Sequence, residues 1–399
     1  MAKLVKWLFP KEAKFLGKKP KKNEKNRNQA RYYLTNKEYQ SILEYRNSGI
    51  IEACTNLSIE TSNVKHLWKK DKQNSIFVKN PLYIEPQVEE ISRTIETSIS
   101  KVLKQFNKED YNFKPTQKQT NKKAIKATTT DDHLGLEPNP NNLGLFEYEY
   151  NAKIYENSYQ KVFNSIIKEY NTHGYFDLLL LDNLGDEQDG WNSLTTRGGH
   201  SLPQNMSNSE VFETCIDVKV RLIKSLVESN IAKKIILRKV VNDNHSGDFG
   251  HTINIAVKKI INLIYSNDIV EVETLTKFLE HRIYGDHCFI LTHGKDKKQM
   301  FKGLPLQLND KTINYINDYI RFYDIKSKYI HVEKGDLHQI GYNKCTTFDY
   351  RNFMSFAPPS SWVQHNFGDC YSGYSIQVIP KNSNEISHTD YFLDYKKKK

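Results

Sequence analysis

Five short segments carry the residues of this chain best suited to chemistry. They are Asp131-Asp132-His133, Gly185-Asp186-Glu187-Gln188-Asp189-Gly190, Asn244-His245, Thr292-His293-Gly294 and Gly335-Asp336-Leu337-His338. Asp131 and His133 are two residues apart, so at a strand end both side chains point the same way. With Asp186 and His338 they make a mixed oxygen and nitrogen ligand set suited to a divalent transition metal. Asp186 follows the run LLLLDNLG, so its carboxylate emerges where a strand gives way to a glycine-permitted loop. From there a carboxylate can bridge two ions, with Asn244, His293 and Asp336 completing the sphere of the second. Two ions about 3.5–4 Å apart bind a phosphoryl group, lower the pKa of water and stabilise the charge of in-line attack. His245, beside Asn244, is placed to protonate the leaving oxygen, and Asp189 is the carboxylate expected to orient that imidazole.

The elements around these segments must bring them together. Four of the five directly follow apolar, β-prone runs, AIKATTT, YFDLLLLDNL, KKIILRKVV and CFILT, and the fifth follows SKYIHVEK. Polar ligand-type residues launched from successive buried strands are how an α/β protein builds a site at one sheet edge. Apolar residues at helical spacing predict helices over 152–170, 208–229, 253–265, 270–282 and 309–323, and their alternation with strands implies a layered α/β core. The stretch from SFAPPSSW to YSIQVIP reads as a closing strand pair. Between the second and third segments, Arg197 sits in a Gly-rich loop (Thr195-Thr196-Arg197-Gly198-Gly199-His200-Ser201), where it either clamps a phosphate bidentately or belongs to a plain surface loop. His200 and His251 are second-tier substrate contacts.

Upstream, residues 1–30 read as a basic disordered tail and 31–85 as a small helical unit. A cap near Thr35 starts a helix carrying Tyr39, Ile42 and Leu43, Gly49 breaks it, and Val64 to Lys70 has the rhythm of a second helix. That is a helix-turn-helix pattern, with Lys65, Lys69 and Lys70 facing nucleic acid, or else a small bundle with no such role. Residues 86–122 read as a polar-faced helix and linker, 123–382 as the catalytic domain, and 383–399 as a basic C-terminal tail.

Taken singly, Asp131-Asp132-His133 is more often a cap or surface turn, G-D-x-x-D-G a common turn, and His293 a satisfied buried histidine. Their joint order is what carries meaning. The series D-x-H, G-D-x-x-D-G, N-H, H-G, G-x-x-H resembles the calcineurin-like metallophosphoesterase superfamily over roughly residues 123–382. The resemblance implies a four-layer α/β/β/α sandwich, here preceded by the helix-turn-helix-like unit. It also implies a binuclear site of Mn, Mg, Fe or Zn at the strand ends, with Asp131, His133, Asp186 and His338 on the first metal. Asp186, Asn244, His293 and Asp336 fall on the second, His245 matches the histidine that acts as acid or contacts phosphate, and Asp189 matches its partner. Two positions depart from the pattern: Asp243 stands where a glycine usually precedes Asn-His, and Asp336 replaces a histidine ligand. An aspartate there makes the site harder and more anionic, which favours Mn or Mg over Zn.

Composition sets the remaining bounds. A net charge of +11 points to polyanionic partners, although part of it lies in terminal lysine runs. Five cysteines without C-x-x-C spacing argue against a disulfide framework or thiolate zinc site and for a reducing compartment. The start MAKLVKWLFPKEAK has no signal-peptide core, so a cytoplasmic protein with no membrane role is expected. Together these features favour a metal-dependent nuclease acting on DNA or RNA, like the DNA-repair exonuclease branch of that superfamily, with a homo-oligomer or an ATPase partner as a further expectation. A phosphomonoesterase acting on protein or nucleotide, and a nucleic-acid-binding protein with a degenerate metal site, are the alternatives.

Overall fold

A computed structural model describes residues 4–19, 30–56, 66–71, 74–79, 88–107, 110, 118–140, 144–298 and 302–397. The chain divides into two compact units, Met1–Ile95 and Glu96–Lys399. The first contains β1 (Leu4–Leu8), α1 (Pro10–Phe15), β2 (Ala30–Leu34), α2 (Asn36–Asn56) and the strands β3 (His66–Asp71) and β4 (Asn74–Lys79). β1 and β2 pair antiparallel. Leu8, Ala13, Leu34, Tyr39, Ile42 and Leu43 bury together as a small core. The start of α2 is fixed by a reciprocal cap, in which the Thr35 N–H donates to the Glu38 carboxylate and the Glu38 N–H to Thr35 Oγ1.

This unit corrects the helix-turn-helix expectation. α2 runs through Gly49, because one interior glycine costs a helix only ~1 kcal/mol. Where a second helix was expected, β3 forms and pairs antiparallel with β4, with Trp68 opposite Phe77 and Leu67 opposite Val78 in register. Aromatic and β-branched residues favour that pairing over a helix. Lys69 and Lys70 therefore belong to a strand and not to a recognition helix, and Lys65 lies outside the described residues. Part of the expected N-terminal tail is structured as β1 and α1.

Following α3 (Val88–Leu103), strands and helices alternate: β5 (Lys123–Thr129), α4 (Ala152–His173), β6 (Phe176–Asn183), α5 (Asn208–Glu228), β7 (Ala232–Val240), α6 (Gly247–Ile264) and β8 (Val270–Leu275). The chain continues through β9 (Glu280–Tyr284), β10 (His287–Leu291), α7 (Asp310–Phe322), β11 (Tyr329–Lys334), β12 (Gly341–Lys344) and β13 (Asp349–Asn352). It closes with α8 (Ser361–Phe367), β14 (Ser372–Pro380) and β15 (Ser387–Leu393). One sheet has the order β15-β14-β5-β6-β7-β8, with β5 to β8 parallel, and the other has β12-β13-β11-β10-β9.

Alternation along the strands decides the layers. Ala124, Leu184, Val240 and Leu275 of the larger sheet's segments bury against Phe289, Leu291 and Phe353, so the two sheets pack face to face. On the other face of β10 and β11, Cys288, Ile290 and Val332 pack with Ile316 of α7. α4 covers β5 and β14, α6 covers β8, and α5 lies between those helices. The result is the α/β/β/α sandwich. Two expectations for this unit are corrected. Residues 270–282 form strands because Val270 and Val272 alternate at period two, and residues 387–393 of the expected C-terminal tail add β15 to the sheet.

Candidate metal centre

Parallel pairing puts the carboxyl ends of β5, β6 and β7 at one edge, and those of β10 and β11 likewise. The five segments leave from these ends and are tied by backbone bonds. Asp131 N–H donates to Gly185 O at 3.0 Å, His133 N–H to Asp186 O at 2.9 Å and Gly335 N–H to His293 O at 3.1 Å. Asp131, His133, Asp186, Asp336 and His338 all have positive φ, at 53°, 43°, 49°, 73° and 52°. Each such residue costs on the order of 1–2 kcal/mol, so strain is concentrated where the ligand-type side chains sit. Gly185, at φ 108°, meets a further constraint: a Cβ there would lie 2.9 Å from the His293 ring.

The side chains converge as two overlapping clusters. His338 Nε2 lies 3.2 Å from both Asp131 Oδ1 and His133 Nε2. His293 Nε2 lies 3.1 Å from Asp186 Oδ2 and from Asn244 Oδ1, and 3.9 Å from Asp336 Oδ1. Ligand atoms of Asp131, Asp186 and His293 all fall within 4.8 Å of one another, as do those of His133, Asp186 and His245. Asp131 and Asp186 thus join the clusters.

Hydrogen bonding on the far side of the rings tests whether a metal fits. His133 Nδ1 pairs with Asp189 Oδ1 at 2.9 Å, and His293 Nδ1 with the Leu184 carbonyl at 3.0 Å. Both rings engage Nδ1 in an outward hydrogen bond and present Nε2 to the centre, the orientation of metal-bound histidines. Asp131 Oδ1 is fully buried and accepts no hydrogen bond, although two imidazole nitrogens face it. Oxygen and nitrogen atoms gathered in this way could hold a shared cation once the imidazole protons leave, and carboxylate, amide and imidazole donors suit a divalent one.

The electrostatics agree. Burial opposes ionisation of Asp131 and Asp186, but the surrounding imidazoles outweigh it and hold both carboxyls well below the usual range. Burial likewise works against a charged His133, yet Asp131 and Asp189 raise it well above the ordinary imidazole value. His293, opposed by burial and driven by Asp186, Asp131 and Asp336, is pushed up to about 10. Carboxylates and imidazoles here stabilise each other's charged forms.

All seven residues expected as ligands, Asp131, His133, Asp186, Asn244, His293, Asp336 and His338, lie in this centre. Asp336 is anchored by its N–H to Asp131 Oδ2 at 3.1 Å, and Lys295 Nζ lies 3.7 Å from its carboxylate. His245 is there too, its N–H donating to Asp186 Oδ1 at 2.9 Å and its ring edge-on to His133. Its side chain is 19% exposed, against 4% for His133 and none for His293, so it is the imidazole best able to reach a substrate. Asp189 lies closer to His133, at 2.9 Å, than to His245 Nδ1, at 3.4 Å, and so is tied more directly to His133 than to the expected acid. Asp243, at the departure from the usual glycine, accepts from Ser246 and Gly247 and holds the turn before α6.

The substrate-contact expectations fare differently. The Arg197 guanidinium donates to the Asp296 carbonyl and carboxylate at 3.2 and 3.1 Å, and its N–H bonds Asn244 O. That arrangement makes it a brace between the Asn244 and His293 loops. His200 is exposed on the same loop and His251 lies on α6; neither belongs to the converging groups among the described residues. Sequence reasoning missed a tier of buried charge behind the centre, made of Asp132, Glu187, Lys219 and Lys239. Its only visible signal was that Asp132 and Glu187 flank ligands.

Fold and site together define an α/β/β/α protein with a buried carboxylate–imidazole cluster that could hold a metal ion. No family model and no curated relative matches the chain. Among solved structures it is similar to zinc-complexed wild-type Vps29 from Entamoeba histolytica, at 10% identity over 67% of this chain and 98% of that one, with a TM-score of 0.30. It is also similar to a novel archaeal phosphodiesterase (10%, 67% and 99%, TM-score 0.29) and to a 5'-nucleotidase described as putative from Staphylococcus aureus (11%, 69% and 55%, TM-score 0.27). No helix among the described residues is long and apolar enough to cross a membrane.

Proposed function

We propose that this chain is a metal-dependent phosphoesterase of the calcineurin-like kind, cleaving phosphodiester bonds in nucleic acid. The observation that carries the reading is the convergence of Asp131, His133 and His338 with Asp186, Asn244, His293 and Asp336, joined through the two carboxylates Asp131 and Asp186. These residues would hold two divalent ions, manganese foremost because the donors are mostly oxygen and imidazole and include no thiolate. Ions bound there supply Lewis acidity and lower the pKa of water. The chain's own part is to orient and to move protons. His133 and His293 keep their Nε2 lone pairs inward by donating Nδ1–H outward. His245, the least buried imidazole of the three that meet Asp186, delivers a proton to the leaving oxygen.

Nucleic acid as substrate is supported by the net charge of +11 and by Lys295, Lys297 and Lys298, which follow His293 on a site loop. Phosphate recognition by lysines is largely sequence-independent. The test compares Mn-dependent hydrolysis of a small phosphodiester, a small phosphomonoester, and single- and double-stranded DNA and RNA by the full chain and its Asp186→Asn variant. Preferential, Asp186-dependent cleavage of the diester and of a polynucleotide is expected. Preference for the monoester would make the protein a phosphatase, and no metal-dependent turnover on any substrate would make it a binding protein.

A further inference from the structure

In each of the first two ligand loops, a ligand alternates with an acidic residue that points away from the centre. Asp132 stands between Asp131 and His133, and Glu187 follows Asp186. Both acids are fully buried, and both are reached by one cation from the outer helical layer, Lys219 of α5, whose side chain is only 6% exposed. Lys219 Nζ pairs with Glu187 Oε1 at 2.6 Å and donates to Tyr159 OH at 2.5 Å. Tyr159 in turn donates to Asp132 Oδ2 at 2.5 Å, and its ring lies 4.1 Å from the ammonium. Lys239 of β7 closes the other side, binding Glu187 and, at 3.3 Å, Gln188 Oε1. Asn183 holds the second Asp132 oxygen.

We propose that Lys219 is a positioning residue whose clasp on Glu187 and, through Tyr159, on Asp132 sets the metal affinity of the centre. This rests on the metal-centre reading above. Asp131, His133 and Asp186 all sit in left-handed backbone, a conformation that persists only where surroundings over-determine it. The two loops are already zipped on one side by backbone bonds from His133 N–H to Asp186 O and from Leu134 N–H to Glu187 O; the Lys219 network ties them on the other. Lastly, the charge network that Lys219 forms beside Val162, Leu222 and Leu237 is weak evidence for stability as such, since well-packed apolar residues in place of all its members would serve as well or better. Holding two carboxylates in fixed places is what an apolar side chain cannot do.

The test measures Mn2+ binding by calorimetry to the chelator-stripped full chain and to Lys219→Met, Lys219→Arg and Tyr159→Phe, with folding followed by circular dichroism and melting. Partners bonded directly to metal ligands typically affect affinity about 10–100-fold, and Lys219 acts one residue further out, so the lower end, about tenfold, is its scale. Lys219→Met is expected to fold cooperatively and to lose about that much affinity, with Lys219→Arg largely restoring it. Tyr159→Phe keeps the ring but cuts the link to Asp132, and should weaken binding in the same direction. Should Lys219→Met fail to fold, Tyr159→Phe decides. Wild-type affinity in a folded Lys219→Met, or in Tyr159→Phe, overturns the proposal while leaving the metal centre standing. Absence of Mn2+ binding by the wild-type chain removes the metal-centre reading and this proposal with it.

Discussion

Replacing Asp189 by asparagine separates two roles that its position allows. Its Oδ1 lies 2.9 Å from His133 Nδ1 and 3.4 Å from His245 Nδ1. Only the shorter contact is a hydrogen bond of ordinary length, and both partners in it are buried, at 4% and 2% side-chain exposure. An amide at this position keeps an acceptor oxygen but loses the charge that fixes the His133 tautomer and makes its Nε2 a better donor. Removal of such a partner typically costs 10–100-fold in metal affinity, roughly 1.4–2.7 kcal/mol. The longer contact to His245 contributes less, so turnover at saturating metal should stay within about tenfold of wild type, below the ~10²–10⁴-fold usual for a lost proton donor. The assay is Mn2+ titration of the chelator-stripped variant by calorimetry, followed by hydrolysis of a small phosphodiester at saturating Mn2+. Unchanged affinity combined with a hundredfold or greater fall in turnover would refute this reasoning and return Asp189 to His245.

Three further outcomes are expected. His245→Ala should lose ~10²–10⁴-fold in turnover while binding metal with wild-type stoichiometry; loss of metal would make it a ligand. In the metal-free protein His133 and His293 are held protonated above the ordinary imidazole range, His293 up to about 10, so metal must displace those protons. About two protons should therefore be released at pH 7.5, with affinity rising as pH climbs toward 10, measured by calorimetry in buffers of different ionisation enthalpy; no release would contradict it. By the same linkage, His293 stabilises the metal-free fold fully below its unfolded value near 6.5 and progressively less as pH rises through about 10. Lys126→Met leaves Glu333, its fully buried ion-pair partner between the sheets, without a counter-charge, and should destabilise by about 3–5 kcal/mol in denaturant unfolding; a change below 1 kcal/mol would show the pair to be dispensable.

How much of this was legible in the sequence follows from the range of the forces involved. Runs such as YFDLLLLDNL and KKIILRKVV declare buried parallel strands locally, and β6 and β7 form there. Residues 270–282 were misread because helical spacing over one long window masks two short strands, in which Val270 and Val272 alternate. The expected second helix gives way to β3 for a similar reason: spacing suited to a helix masks β-prone residues whose pairing partner is the separate strand β4. The buried charge tier was illegible because its pairs are non-local. Lys239 meets Glu187 across 52 residues and Lys126 meets Glu333 across 207, and nothing near a lysine in sequence says that it will be buried.

The loops carrying Asp131 and His133 converge by a geometry other than the expected one. Asp131 and His133 were expected to point one way because strand residues alternate. They do share the centre, but β5 ends at Thr129 and both residues are left-handed. Their common direction comes from the loop's bond to the Asp186 segment and from Asp132 being drawn the opposite way by Tyr159 and Asn183. The inward pull of the ligands and the outward pull on Asp132 are therefore one constraint, and the same holds for Asp186 with Glu187 and its two lysines. A centre built this way keeps its shape through what lies behind it: the strained turns are fixed by a buried hydrogen bond from α4 and buried ion pairs from α5 and β7.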